Sequence, residues 1–267
     1  LPGTIAMAVT GRNILVSIDL EEFEILSEFG GHALEEEFAV SRQGLEALLE
    51  VFRQLEIPVT FFATVRFLAS QPGLGRSLVG LGHEIASHGY CHRHFVQEDL
   101  ARSRQDLEQL AGEPVYGYRS ARFQPVCPEA LRAAGYRYDS SIHPILLPGR
   151  YNYLRFPRVP FRYGGLPELP VSVSPGLRYP FFWLAFKNAP FWFHWELSRY
   201  TLRKDGYLLL VFHPWEFAPL ERFRMLPVYV RSPSGHALVS RLAEYLGKLK
   251  REGWFVTCWE FCQKRFG

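Results

Sequence analysis

The chain has 267 residues, of which 48% are hydrophobic and 21% charged, with a formal net charge of +3. This length buries a full core, and the balance is that of an ordinary globular protein rather than a disordered or collagenous one. The basic residues are dispersed, which argues against nucleic acid as a partner, and no uninterrupted apolar run is long enough to span a bilayer.

The first residues, LPGTIAMAVTGRN, lack the charged region and apolar run of a secretory signal, and positions 1–11 read as a trimmed start or an added remnant. Four cysteines, Cys91, Cys127, Cys258 and Cys262, form no paired C-x-x-C clusters and are too few for a disulfide scaffold, which favours a reducing compartment. A location in the cytoplasm or peripheral to a membrane is expected.

In chain order, Arg12 to Asp19 (RNILVSID) reads as a buried strand ending abruptly in acid. Ser41 to Leu55 reads as a helix opened by a serine cap, with leucines and a phenylalanine at helical spacing. A strand at Pro58 to Ala63, a helix around Gly75 to Leu81 and a strand at His83 to Ser87 follow. Then come a helix over Val96 to Ala111, a strand at Val115 to Arg119, a helix over Pro128 to Ala134 and a strand near Tyr136 to Ser140. Later strands are expected at Glu168 to Val173, Tyr207 to His213 and Trp254 to Cys258, with a helix at His236 to Arg251. Alternation with short connections predicts an α/β fold, parallel strands covered by helices, in a single domain over 1–267 shaped as a complete or incomplete barrel.

The strand ends carry the chemistry. Asp19, His88, Arg119, Asp139 and His213 each end or follow a strand, and in a parallel barrel all those ends share one rim. ASHGYCHRHF, Ala86 to Phe95, packs His88, His92 and His94 into seven residues. A helical turn there would set His88 and His92 on one face to grip one ion, whereas in isolation the stretch reads equally well as a polar loop. The convergence at the rim favours the ion. Two imidazoles need a carboxylate to complete a site that keeps one position open. Asp19 and Glu21 stand two apart, so an extended backbone points both the same way. One of them binds the ion while the other stays free as a base. Glu22 is the alternative ligand to Glu21, and the bland reading of Glu21, Glu22 and Glu24 is a solvated charge run. His213, emerging from LLLVF, and Asp139 suggest an imidazole acid oriented by a carboxylate, with Arg119 holding Asp19.

Taken in order, IDLEE, TFFA, GHEIASHGYCHRHF, GYRSARF, YDSSIHP and FHPWEF resemble the motifs of the polysaccharide deacetylases, the nodulation-factor-deacetylase homology group. The IDLEE and HPWEF forms look most like the branch associated with exopolysaccharide synthesis. The resemblance runs from about Ile14 to Trp259. It implies a deformed (β/α) barrel with its active site at the carboxyl ends of the strands. It also implies one divalent metal, zinc first, with cobalt, nickel or manganese as alternatives, and hydrolysis of N-acetyl groups on a glycan.

By position, Asp19 matches the base, Glu21, His88 and His92 the metal ligands, Arg119 the tether of the base, and Asp139 with His213 the acid pair. Ser120, Arg122 and Trp215 are the expected substrate contacts, with a backbone N–H near Ser120 helping to hold an oxyanion. His83 is expected to be structural, and His94 at most to support a ligand. The Arg-x-Pro of the family's third motif is here Arg119, Ser120, Ala121. Cys91, between the two histidines, is a further sulfur that could ligate or oxidise.

Tyr179 to Trp195, YPFFWLAFKNAPFWFHW, contains nine aromatic residues of the Phe, Tyr and Trp types. Core packing is the bland account; a sugar-stacking platform, or a patch contacting a membrane surface or a lipid-linked substrate, are the functional ones. Rival readings of the whole chain are a same-fold amidohydrolase, either a lipid-linked sugar deformylase or deacetylase or a cyclic amide hydrolase, and a silent glycan-binding protein. Oligomeric state is not readable.

Overall fold

The computed structural model describes residues 11–31, 36–93 and 96–267. Strand β1 (Asn13–Leu20) is buried along its whole length and pairs with three other strands of the sheet. On one edge β1 pairs with β10 (Tyr207–Phe212); on the other it pairs with β11 (Trp254–Phe255) at its start and with β2 (Thr60–Ala63) towards its end, beyond which follow β3 (Glu84–Ser87), β4 (Gly117–Tyr118), β5 (Tyr138–Asp139), β9 (Leu166–Glu168) and β8 (Phe161–Tyr163). All pairings are parallel except β8 with β9. A separate antiparallel pair is formed by β6 (Leu146–Leu147) and β7 (Tyr151–Asn152).

The sheet curls into a deformed barrel. Residues 169–173, expected as strand, leave the regular ladder at Glu168 and bridge the gap with single bonds. The Leu169 and Val171 amides donate to the carbonyls of Asp139 and Ile142, and the Ser172 amide donates to Leu209 on β10. Each bond satisfies a buried backbone group that a regular strand would have satisfied in a ladder.

The helices cover the outside. They are α1 (Glu37–Leu55), α2 (Val65–Ala69), α3 (Leu74–Gly80), α4 (Asp99–Ala111), α5 (Pro128–Ala133), α6 (Trp183–Asn188), α7 (Phe191–Asp205), α8 (Val228–Arg231), α9 (Gly235–Leu249) and α10 (Cys258–Phe266). Val40, Leu45, Leu48 and Phe52 of α1 recur every three to five residues and are buried, so α1 lies on the sheet along one stripe. Ser41 does not cap it. The helix begins four residues earlier because Glu37 is drawn inward by Arg66 and Arg93. Gly44 lets α1 lie directly on the turn that follows β10: a Cβ there would stand 1.8 Å from the Pro214 carbonyl oxygen.

The expected strand end at Cys258 is instead the start of α10. Thr257 caps that helix, its hydroxyl accepting from the Glu260 amide at 3.2 Å while Glu260 accepts from the Thr257 amide at 2.9 Å. This T-x-x-E signature of a capping box was present in the sequence.

The aromatic stretch divides between core and rim. Phe181, Phe186 and His194 are buried, with Phe186 and His194 packed against Tyr245 of α9, whereas Trp192 is 68% exposed. Among the described residues no helix is long and apolar enough to cross a membrane.

Candidate active site

Parallel strands deliver their carboxyl ends to one rim, and the backbone bonds at that rim set the side chains. The His88 amide donates to Ala63, the Arg119 amide to Ser87 and the Ser140 amide to Tyr118. A pocket of about 210 Å³ opens there, with Asp19, Glu21, His88, His92 and His213 among its lining.

The histidines do not share a helical turn. His88 continues the line of β3, and Gly89 at φ +85° turns the chain sharply, a left-handed conformation glycine adopts without a Cβ penalty. The two imidazoles still converge: His88 Nε2 lies 3.3 Å and His92 Nε2 3.1 Å from Glu21 Oε2. His94 and Phe95 fall outside the described residues.

His88 Nδ1 is 2.9 Å from the Arg119 carbonyl. A carbonyl only accepts, so His88 donates from Nδ1 and turns Nε2 towards Glu21. Glu21 Oε2 is buried and has no hydrogen-bond partner in the protein. Two imidazole nitrogens and one carboxylate oxygen converging at this distance are a donor set that suits a divalent ion. Glu21, His88 and His92 form this donor group among the described residues, without Cys91. Burial alone would raise the Glu21 pKa, but His92, His213 and His88 outweigh it and hold the carboxyl down at about 2.

Glu22 does not compete for this position. It accepts from the Thr64 hydroxyl at 3.1 Å, faces Arg66 at 3.7 Å, and is pushed up to about 6 by burial and by Glu24 and Glu21. Nor is the acidic run solvated: Glu21, Glu22 and Glu24 are 4%, 0% and 3% exposed. Glu24 lies 3.5 Å from His92 Nδ1 and accepts from Arg93 at 2.8 Å, so it steadies the second imidazole from behind. Sequence reasoning missed this role, because alternation along an extended chain would have sent Glu22 and Glu24 to the face opposite Glu21.

Arg119 is fully buried. It donates to Asp19 Oδ1 at 2.6 Å, the Ser17 hydroxyl at 2.8 Å, the Ser140 hydroxyl at 2.9 Å and the Ser140 carbonyl at 3.1 Å, with its guanidinium 4.0 Å from the Phe62 ring centroid. Asp19 Oδ1 is thereby fixed, and Oδ2 lies 3.9 Å from His213 Nε2 across the pocket.

His213 is partnered differently from the expectation. Its Nδ1 is 3.0 Å from Glu216 Oε1, which also accepts the His213 amide at 2.6 Å. Asp139 is engaged elsewhere: it accepts from the Ser141 hydroxyl at 2.5 Å and the Ser140 amide at 2.8 Å, and it is hydrogen-bonded to the buried Glu168. Burial pushes both members of this carboxyl pair up, and their mutual repulsion adds to the rise on Glu168. Glu216 takes the place beside His213 because Pro214–Phe217 forms a tight 3-10 turn that brings position 216 back over 213. Burial opposes charging of His213, but Glu21, Glu216 and Asp19 prevail and hold it up at about 9.

Trp215 lines the pocket, stacks on the His213 ring at 5.1 Å between centroids, and donates from Nε1 to Glu21 Oε1 at 3.3 Å. The Ser120 amide donates to the Ser141 hydroxyl at 2.9 Å, and Ser120 itself is buried. Arg122 does line the pocket, on a backbone at φ +57° followed by Phe123 at φ +54°. His83 stands away from this rim between Phe52 and Phe61, and burial lowers its pKa to about 4.

Residues 39–138 match the family model described as polysaccharide deacetylase. A peptidoglycan deacetylase from Helicobacter pylori is 28% identical over 108 residues, 37% of this chain and 37% of that protein. A chitooligosaccharide deacetylase from Bradyrhizobium sp. is 36% identical over 84 residues, 32% of this chain and 34% of that protein. The alignments thus span little more than a third of these curated relatives. The solved structure of Puue allantoinase superposes with a TM-score of 0.65 at 18% identity, covering 99% of this chain and 91% of that one, a likeness of fold alone.

Proposed function

We propose that this chain, a member of the polysaccharide deacetylase family, is a metal-dependent hydrolase that removes the N-acetyl group from a sugar of a glycan, giving acetate and a free amine. The observation that carries this reading is the unpartnered Glu21 Oε2 facing two imidazole nitrogens, with Asp19 and His213 on either side of the same pocket.

Glu21, His88 and His92 would hold the ion, with Glu24 and the Arg119 carbonyl orienting the imidazoles. When bound, a divalent ion polarises an amide carbonyl and lowers the pKa of a water, and zinc is the first choice for this donor set. Asp19, anchored through Oδ1, presents Oδ2 to take the proton of the attacking water. His213 Nε2, opposite, gives a proton to the departing amine as the C–N bond breaks. Glu216 fixes the ring through Nδ1, and Trp215 packs against its face.

The protein prepared without added metal, then dialysed against zinc, is expected to hold about one ion per chain by elemental analysis, and His88→Ala and His92→Ala to hold none. Retention of a full equivalent in both variants would refute the ligand set. Acetate release from N-acetylated oligosaccharides then tests the reaction. Glu216→Ala is expected to lower kcat by about 10- to 100-fold with KM little changed. A larger kcat loss in Asp139→Asn than in Glu216→Ala would instead return the role of orienting His213 to Asp139.

A further inference from the structure

Three segments distant in sequence bring charged side chains together at the pocket. Glu28 stands on the short turn Ile25–Phe29, Arg122 on the turn after β4, and Arg150 in the loop joining β6 to β7, and all three line the cavity. Arg150 donates to Glu28 Oε2, whereas Arg122 Nε stays 3.6 Å from Glu28 Oε1, beyond hydrogen-bond reach. Arg122 Nε is buried and has no hydrogen-bond partner. Arg122 is therefore a partly desolvated guanidinium whose nearest carboxylate is already taken by another arginine.

The other carboxylates of the cavity have cations of their own. Asp19 is held by Arg119, and Glu21 faces His88, His92 and, on the reading above, the ion. Among the described residues, Glu28 is the carboxylate within ion-pair distance of Arg122 and of Arg150. One carboxylate between two guanidiniums leaves a positive charge unmatched. Both arginines remain within reach of an incoming group, with 33% and 42% of their side chains exposed. The backbone also holds Arg122 at this place against its preference. Arg122 and Phe123 both sit in the left-handed region, and the Tyr153 hydroxyl pins the turn by donating to the Phe123 carbonyl at 2.9 Å. A neutral sugar hydroxyl can accept from a guanidinium but leaves the charge unmatched. A carboxylate or phosphate answers both the planar donor fork and the charge.

We propose that the substrate sugar is acidic: an anionic group on it, carboxylate or phosphate, seats against Arg122 and Arg150, while Glu28 holds the two guanidiniums in place. The anion belongs to the sugar that carries the N-acetyl group, because both arginines line the same small cavity as the metal donors. The sugar half rests on the deacetylase reading, and the anionic half rests on the unmatched guanidinium alone.

The probes are the neutral methyl glycoside of N-acetylglucosamine, the 1-, 3-, 4- and 6-phosphates of that sugar, and two carboxylates, N-acetylmuramic acid and the uronic acid derived from N-acetylglucosamine. Binding to the zinc-loaded protein is followed by calorimetry, with acetate release measured in parallel. At least one anionic probe is expected to bind at least about tenfold tighter than the neutral one. Arg122→Gln is expected to lose most of that advantage with metal content unchanged, and Arg150→Gln, on a separate segment, to lose part of it. The probe that binds tightest identifies the anionic group and its position on the ring. Failure of every anionic probe to reach that advantage would overturn the proposal. So would an advantage untouched by both substitutions, which would put the anion on the ion instead. An advantage lost in Arg122→Gln without acetate release from any probe would sink the hydrolase reading and leave the anion site standing. Acetate release without an anionic advantage would do the reverse.

Discussion

Asp19→Asn is expected to lower acetate release by about 10²- to 10⁴-fold while leaving the metal content of the protein unchanged. Asparagine keeps the shape of the side chain and can still accept from Arg119 through its amide oxygen, so the pocket stays formed. It loses the capacity to take a proton from water. Metal content is expected to stay unchanged because the donors proposed for the ion are Glu21, His88 and His92, and Asp19 is outside that group. Loss of the ion together with activity would make Asp19 a ligand, and unchanged release would remove it from the reaction. Kinetics and elemental analysis on the same preparation separate these outcomes.

Arg119→Met is expected to destabilise the fold by about 3–5 kcal/mol, read from urea unfolding. The guanidinium is 0% exposed, and it compensates Asp19 directly while lying within the field of Asp139 and Glu168. Methionine fills much of the volume but leaves a buried carboxylate without its cation and the Ser17 and Ser140 groups without a donor. Arg119→Lys is not expected to restore the loss, since a point charge on a flexible stem cannot reach acceptors on β1 and beyond β5 at once. A cost below about 1 kcal/mol for Arg119→Met would show that Asp19 finds its compensation elsewhere.

Much of the site was legible because strand ends are legible. A β-branched run stopping at Asp19, and an apolar run stopping at His213, mark where buried sheet meets the rim, and a parallel barrel leaves those ends one common side. The alternation of Asp19 and Glu21 along an extended chain likewise placed both in the pocket. The helical turn expected for His88 and His92 was not found, yet their convergence was: the ion-sized gap is set by where β3 ends and by the turn at Gly89.

What one-dimensional spacing could not reach were the partners of partners. Asp139 was expected beside His213, but its carboxyl is taken by Ser141 and Glu168, and Glu216 closes on His213 through a local 3-10 turn. Glu24 entered only through the bland reading of a solvated charge run, and is buried because Arg66 and Arg93 reach it from other segments. The antiparallel β6–β7 pair and the bond-by-bond closure at 169–173 also carry no periodicity long enough to read.

By itself, then, the sequence determined the α/β alternation and the placing of Asp19, Glu21, His88, His92, Arg119 and His213 along one rim, and it carried the resemblance to the polysaccharide deacetylases, because each depends on local pattern and chain order. Only the tertiary structure decided which carboxylate faces the imidazoles and which acid holds His213. Those depend on groups distant in sequence meeting in a buried space, where desolvation makes every unpaired charge costly and so selects one set of partners.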